Sequence, residues 1–170
     1  MRNGLCFVAM LGLLACAVAG HCGPDSPQTA VALEVVNESG KAFSFTVAEL
    51  SKLPQQEVKS KEHSGEEASF RGVLVATVLK EAEVTLGERL RGKMLTNHLI
   101  VEASDKYRAL FSLPELDPDW TENVVLLAIS RNGELLDTAH GPLQVIVPGD
   151  KRHSRWVKKV VRLTIRSDSK

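Results

Sequence analysis

Short β-prone segments separated by turn residues fill the chain after residue 30, and this pattern constrains the fold more than any other feature. Residues 31–36 and 41–46 are β-prone and flank a turn-forming stretch, which predicts a hairpin. Asn132 followed by Gly133 is the strongest short hairpin signal in the chain and predicts a second one. The remaining predicted strands cover residues 97–103, 107–113, 123–130, 134–136, 143–147 and 157–165.

Two short helices are predicted between these strands. Thr46 followed three residues later by Glu49 is a capping box, which opens a helix that Pro54 closes. Apolar residues at a four-residue spacing predict a second helix over residues 73–83. Strands, short helices and again strands, without regular βαβ alternation, predict an α+β fold with a mixed β-sheet and short helices.

The charge of the chain is balanced, with 21 Lys and Arg residues against 21 Asp and Glu residues. Because nucleic-acid binding depends on an excess of positive charge facing the phosphates, this balance argues against a dedicated DNA or RNA partner.

The N-terminus has the composition of an export signal. Arg2 precedes an apolar run at residues 5–15, which is too short to span a bilayer, and Ala17-Val18-Ala19 matches a cleavage site. We therefore expect a signal peptide at residues 1–19, a flexible lead-in at 20–30, a domain at 31–166, and a periplasmic or secreted protein. The alternative is a lipoprotein anchored at Cys16, because Leu13-Leu14-Ala15-Cys16 resembles a lipobox.

All three cysteines, Cys6, Cys16 and Cys22, precede the predicted domain. This excludes a disulfide framework, a cysteine-based zinc site and a cysteine nucleophile within the domain. The five histidines lack ligand-like spacing, and no standard catalytic signature is present, so the residues predict neither a metal site nor a catalytic residue.

The most unusual chemistry lies in residues 149–159, where several Lys and Arg residues surround Trp156. Guanidinium groups pair with carboxylates or phosphates, and an indole stacks on planar rings. The segment therefore predicts either a site for an anionic or planar ligand or a solvated loop beside a core tryptophan.

Four segments in order resemble the molybdopterin-binding domain of the sulfite oxidase family. They are Phe70-Arg71-Gly72-Val73-Leu74, Ala103-Ser104-Asp105-Lys106-Tyr107, the run from His140 to Gly149, and Arg155-Trp156-Val157-Lys158-Lys159. The resemblance covers about residues 31–165 and implies a sulfite-oxidase-like fold with a pterin ligand.

The chain also departs from the family pattern. Catalytic members bind molybdenum through a cysteine upstream of the W/F-x-G segment, but residues 55–69 contain none. Where the family has H-G-x-P-x-R, this chain is one residue shorter and has Gln144 in place of the arginine, which removes a charged fork suited to phosphate. Lys106 replaces a glycine.

With these departures, the chain is similar to a short exported subgroup of the fold that binds a pterin without metal. The resemblance implies a non-catalytic periplasmic protein that signals its ligand state to the periplasmic region of a membrane-bound partner, such as an enzyme that makes or breaks cyclic di-GMP. The candidate ligand-binding residues are Arg155, Trp156, Asp105, Tyr107, His140 and Lys158.

Two other functions compete with this hypothesis. The chain can be a domain or subunit of a molybdopterin-dependent oxidoreductase, although the missing cysteine argues against bound molybdenum and against an enzyme. It can also be an interaction domain with a vestigial pocket.

Overall fold

The computed structural model describes residues 30–167, and this range forms ten strands and three short α-helices. The strands are β1 Val31–Val36, β2 Ala42–Thr46, β3 Gln55–Lys61, β4 Glu67–Leu74, β5 His98–Ala103, β6 Arg108–Ser112, β7 Leu126–Arg131, β8 Glu134–Leu135, β9 Gln144–Ile146 and β10 Val160–Arg166. The helices are α1 Val47–Leu50, α2 Val75–Glu81 and α3 Leu113–Leu116. The predicted signal peptide, most of the lead-in and Cys16 lie outside the described residues.

The strands divide between two sheets. The first has the order β2-β1-β10-β5-β6 and is mixed, because β1 and β10 run parallel while the other neighbours are antiparallel. The second has the order β3-β4-β7-β8, with β9 also paired to β7, and all its pairs are antiparallel. The predicted α+β class with a mixed sheet is confirmed, and the second sheet is an addition to it.

Both predicted hairpins form. In the β1–β2 turn, the Asn37 side chain accepts hydrogen bonds from the backbone N–H groups of Ser39 and Lys41 at 3.1 and 3.0 Å. In the β7–β8 turn, Asn132 and Gly133 have φ values of 51° and 86°. Asn and Gly tolerate this left-handed region best, which is why the dipeptide is a turn signal.

The predicted capping box at α1 is also confirmed. Glu49 N–H donates to Thr46 Oγ1 at 3.1 Å, and Thr46 N–H donates to the Glu49 carboxylate at 2.8 Å. These bonds favour the ionised form and lower the pKa of Glu49. The helix ends at Leu50, before Pro54, so the proline does not itself terminate it.

The bounds of two predicted elements need correction, and two strands were not predicted. Helix α2 is shorter than predicted, because Val73 belongs to β4, where it pairs with both Gln55 and Leu127. Strands β3 and β4 were missed, since β3 is an edge strand whose polar composition hides its alternation. The strand predicted over residues 107–113 ends at Ser112 as β6, because residues 113–116 form α3 with Pro114 in its first turn, where a missing N–H costs no helical hydrogen bond.

One apolar cluster joins the two sheets. It contains Leu33, Leu99 and Leu163 from the first sheet, Phe70 and Leu126 from the second, and the buried face of α2. Within residues 30–167, none of the helices has the length and apolar character needed to span a membrane.

Candidate ligand-binding cleft

A cleft with a volume of about 890 Å³ lies where three stretches of chain meet. These are the turn between β3 and β4 (residues 62–64), the entry to β9 (residues 140–144) and the β9–β10 loop (residues 151–158). Lys159 N–H donates to His140 O, and Val145 N–H donates to Val157 O, each at 2.8 Å. These backbone bonds fix the last two stretches against each other and give the cleft a defined wall.

Trp156 lines the cleft but is largely packed into the fold. It is 8% exposed, and its indole N–H donates to Val147 O at 3.0 Å. Phe70 meets the indole edge-on with ring centroids 5.6 Å apart, and the His153 ring lies 4.1 Å from it at 35°. The tryptophan therefore anchors the loop in the core, and His153 occupies part of its ring surface.

His140 lines the cleft beside a carboxylate. Its Nδ1 lies 2.7 Å from Asp137 Oδ1, and its backbone N–H donates to the same oxygen at 2.9 Å. The hydrogen bond with the His140 side chain lowers the pKa of Asp137. Because the folded-state pKa is depressed, this contact stabilises the fold above the ordinary pKa of Asp137 and is lost as the pH falls through the folded value.

The rim of the cleft carries three cations. Lys151, Arg152 and Lys158 line it and are exposed. The carboxylate of Glu62, which also lines the cleft, is paired with Arg131, whose Nε lies 2.7 Å from Glu62 Oε1. With its acidic residue neutralised in this way, the cleft presents a positive rim to a ligand.

Arg155 does not line this cleft. Its Nε and Nη2 donate to the two oxygens of Asp150 at 2.9 and 2.7 Å, and its Nη1 donates to Glu115 at 3.2 Å. The guanidinium also lies 4.7 Å from the ring centroid of Phe111. The hydrogen bonds to Asp150, followed by those to Glu115, raise the pKa of Arg155. The contacts of Arg155 are those of a structural ion pair, and its contact with a ligand stays a prediction.

Asp105 and Tyr107 also lie outside the lining of the cleft. Asp105 accepts a hydrogen bond from Tyr107 N–H at 2.9 Å and so shapes the β5–β6 turn. Tyr107 O–H donates to Ser154 O at 2.6 Å, which ties that turn to the cleft loop. Lys106 has a φ of 71°, which explains why the family pattern favours glycine there.

Of the six candidate ligand residues, the structure brings three together at the cleft. These are His140, Trp156 and Lys158. The sequence predictions missed residues 62–64, because they belong to a hairpin that was not predicted. The sequence marks Gln144 only by the charge that it lacks relative to the family arginine, whereas in the structure it is 3% exposed and lines the cleft.

The donor set bears on metal binding. Between residues 30 and 167, no group of three or more His, Asp or Glu side chains is placed to hold a metal ion. The sequence contains no cysteine after Cys22, so this range supplies no thiolate ligand.

Comparisons with known proteins agree with this architecture. A family model described as an oxidoreductase molybdopterin binding domain matches residues 23–170. The fold is similar to that in the crystal structure of the sulfane dehydrogenase SoxCD from Paracoccus pantotrophus, with a TM-score of 0.63 and 24% sequence identity. The alignment covers 85% of this chain and 40% of that chain, so this chain spans well under half of its structural neighbour. Comparison with curated proteins gives no significant match.

Proposed function

Because the chain belongs to the oxidoreductase molybdopterin-binding domain family, we propose that it binds a pterin in the cleft formed by residues 62–64, 140–144 and 151–158. The observation that carries this proposal is the cleft itself. It is built from two of the segments that resemble the sulfite oxidase family, and it has a positive rim. A volume of about 890 Å³ is within the range of small-molecule sites.

The side chains fit the organic part of molybdopterin better than its metal. Gln144 and His140 offer polar groups to a heterocycle, while Lys151, Arg152 and Lys158 can pair with an anionic or hydroxylated tail. No thiolate stands in the matched residues 23–170 to hold molybdenum. When bound, the group would supply redox chemistry of its own, and the residues of this chain would bind and orient it.

A second candidate function is a domain or subunit of a molybdenum oxidoreductase. The description of the family as oxidoreductase and the dehydrogenase named as structural neighbour favour it. This candidate requires that a metal ligand come from outside the described residues, from another chain or from the pterin alone.

Calorimetric titration of an oxidised and a reduced pterin into the purified protein tests the proposal. Wild-type protein should bind at least one of them. Lys158→Gln should weaken binding about threefold to tenfold, because a hydrogen bond from a charged donor contributes roughly 1.5–3 kcal/mol and exposure reduces that value. Lys52→Ala, an exposed lysine that does not line the cleft, is the matched control and should bind like wild type.

Elemental analysis of the same preparations separates the two candidate functions. Protein from a host that makes molybdopterin should carry little molybdenum under the first proposal. Near-stoichiometric molybdenum would favour the oxidoreductase. Failure of the wild type to bind either pterin would contradict the binding proposal and would favour the hypothesis of an interaction domain with a vestigial pocket.

For the physiological role, we propose that the protein is exported and reports pterin binding to the periplasmic region of a membrane-bound partner, such as a cyclic di-GMP enzyme. The resemblance to exported non-catalytic members of the fold supports this role. Signalling requires that the bound and free forms differ in affinity for the partner. Equal affinities of such a partner region for the two forms would contradict it.

Export predicts a defined start of the mature chain. Intact-mass measurement of protein from the envelope fraction should show a chain beginning at or near Gly20, because the sequence Ala17-Val18-Ala19 precedes it. A diacylglyceryl group on Cys16 would replace this prediction with the lipoprotein alternative. A chain that retains Met1 would contradict both.

A further inference from the structure

Gln144, a residue in the wall of the cleft, carries a hydrogen-bond acceptor that no group of the described residues uses. Gln144 begins β9 and pairs with Ala128 of β7, so its backbone position is fixed by the second sheet. The residue is only 3% exposed and lines the cleft. Its Oε1 is buried and accepts no hydrogen bond from any residue in the described range 30–167. A buried carbonyl oxygen without a donor is costly, and such groups are uncommon in folded proteins.

Two polar groups that line the cleft with Gln144 have partners elsewhere. The indole N–H of Trp156 donates to Val147 O, and His140 Nδ1 is paired with Asp137. The cations of the rim are exposed, with Lys158 among them. The donor that satisfies Gln144 Oε1 is therefore best supplied by the molecule that fills the cleft.

We propose that Gln144 Oε1 accepts a hydrogen bond from an N–H group of the bound pterin, which makes Gln144 a specificity-determining residue. This inference rests on the proposed function. The pyrimidine edge of a pterin carries an amino group and a ring N–H, and both are donors that match a lone amide oxygen.

The same contact defines which part of the ligand faces this wall. A dianionic phosphate monoester has only acceptor oxygens, and its charge would lie against the carbonyl dipole of Gln144. Gln144 therefore selects the heterocycle edge, and any anionic tail points toward the rim at Lys151, Arg152 and Lys158. The ligand class is therefore a pterin that is recognised by the N–H groups of its ring, and the ligand does not need a phosphate.

Two substitutions separate the acceptor from the rest of the side chain. Gln144→Met keeps the length of the side chain and removes its polar atoms, whereas Gln144→Glu keeps acceptor oxygens and removes the amide N–H₂. In titrations with biopterin and tetrahydrobiopterin, Gln144→Met should weaken binding at least tenfold. Gln144→Glu should stay within about threefold of wild type, because the acceptor remains.

Thermal unfolding without ligand gives a second measurement. Gln144→Met should have a Tm equal to or above that of wild type, since it removes a buried acceptor that has no donor. A gain in stability together with a loss of affinity is not expected of a residue whose role is only structural.

Each outcome shows whether the Gln144 contact or the pterin-binding proposal itself has failed. If wild type binds a pterin and Gln144→Met binds it equally well, Gln144 Oε1 is not the acceptor and this inference alone is overturned. The same conclusion follows if Gln144→Met and Gln144→Glu lose affinity for the pterin equally. A lower Tm for Gln144→Met would overturn it as well, by showing that the amide is satisfied in the free protein. If wild type binds no pterin, the proposed function fails and this inference fails with it.

Discussion

Replacing Gly72 with alanine should destabilise the domain by about 3 kcal/mol and lower its Tm by roughly 6–12 °C. Gly72 lies in β4, between β3 and β7, where the register with β7 shifts next to Arg71. A Cβ atom at this position would overlap the carbonyl oxygen of Leu127 and lie 2.6 Å from Ala128 Cα. Both are backbone atoms of a central strand, so relief requires the sheet itself to move.

Gly149→Ala is the matched control for this substitution. A Cβ atom at Gly149 meets no atom of the described part of the chain within 4 Å, so this variant should stay within about 0.5 kcal/mol of wild type. Thermal and urea unfolding, monitored by circular dichroism, measure the stability of both variants. Equal midpoints for the Gly72→Ala variant and wild type would show that β4 and β7 are not this close.

Replacing Arg155 with methionine should destabilise the fold by about 2 kcal/mol. The change removes a bidentate pair with Asp150 and a bond to Glu115, and leaves two partly buried carboxylates near each other. The side chain of Arg155 is 34% exposed, so solvent screening keeps the loss below that of a fully buried pair. Because these contacts raise the pKa of Arg155, the guanidinium stays charged and its contribution would be lost only in strong alkali.

Arg162→Met provides the comparison for Arg155. Arg162 pairs with Glu34 across the exposed face of the first sheet, with the arginine side chain 48% exposed. Such surface pairs contribute roughly 0–1 kcal/mol, so this variant should unfold near wild type. The unfolding midpoint of Arg155→Lys should lie between those of the two methionine variants, because lysine keeps the charge and loses the planar fork. Equal unfolding midpoints for the two methionine variants would contradict a structural role for Arg155.

Local hydrogen bonding explains which parts of the fold could be predicted from the sequence. The capping box joins Thr46 and Glu49, and the β1–β2 turn is held by Asn37 and its near neighbours. Each of these features needs only the residue types within a few positions. Strand β3 could not be predicted in this way, because its polar residues form a strand only when β4 pairs with them.

The candidate site, like the fold, could be predicted from the sequence only in part. The sequence identified the cationic segment around Trp156 because composition alone marks it. It could not tell that Lys158 lines the cleft while Arg155 turns to Glu115, a partner 40 positions away in the chain. The direction of the Arg155 side chain depends on Asp150 in the same loop and on Glu115, which only the fold brings near.

The sequence by itself determined the α+β class, the two hairpins, the capping box and the family segments, because each depends on neighbouring residues or on their order. Only the tertiary structure decided that the strands form two sheets, that residues 62–64 complete the cleft, and that the Gln144 acceptor is buried without a donor from residues 30–167. The physical reason is that pairing, burial and the satisfaction of polar atoms depend on residues far apart in the chain. The parallel pairing of β1 with β10 joins the two ends of the domain and shows this dependence most directly.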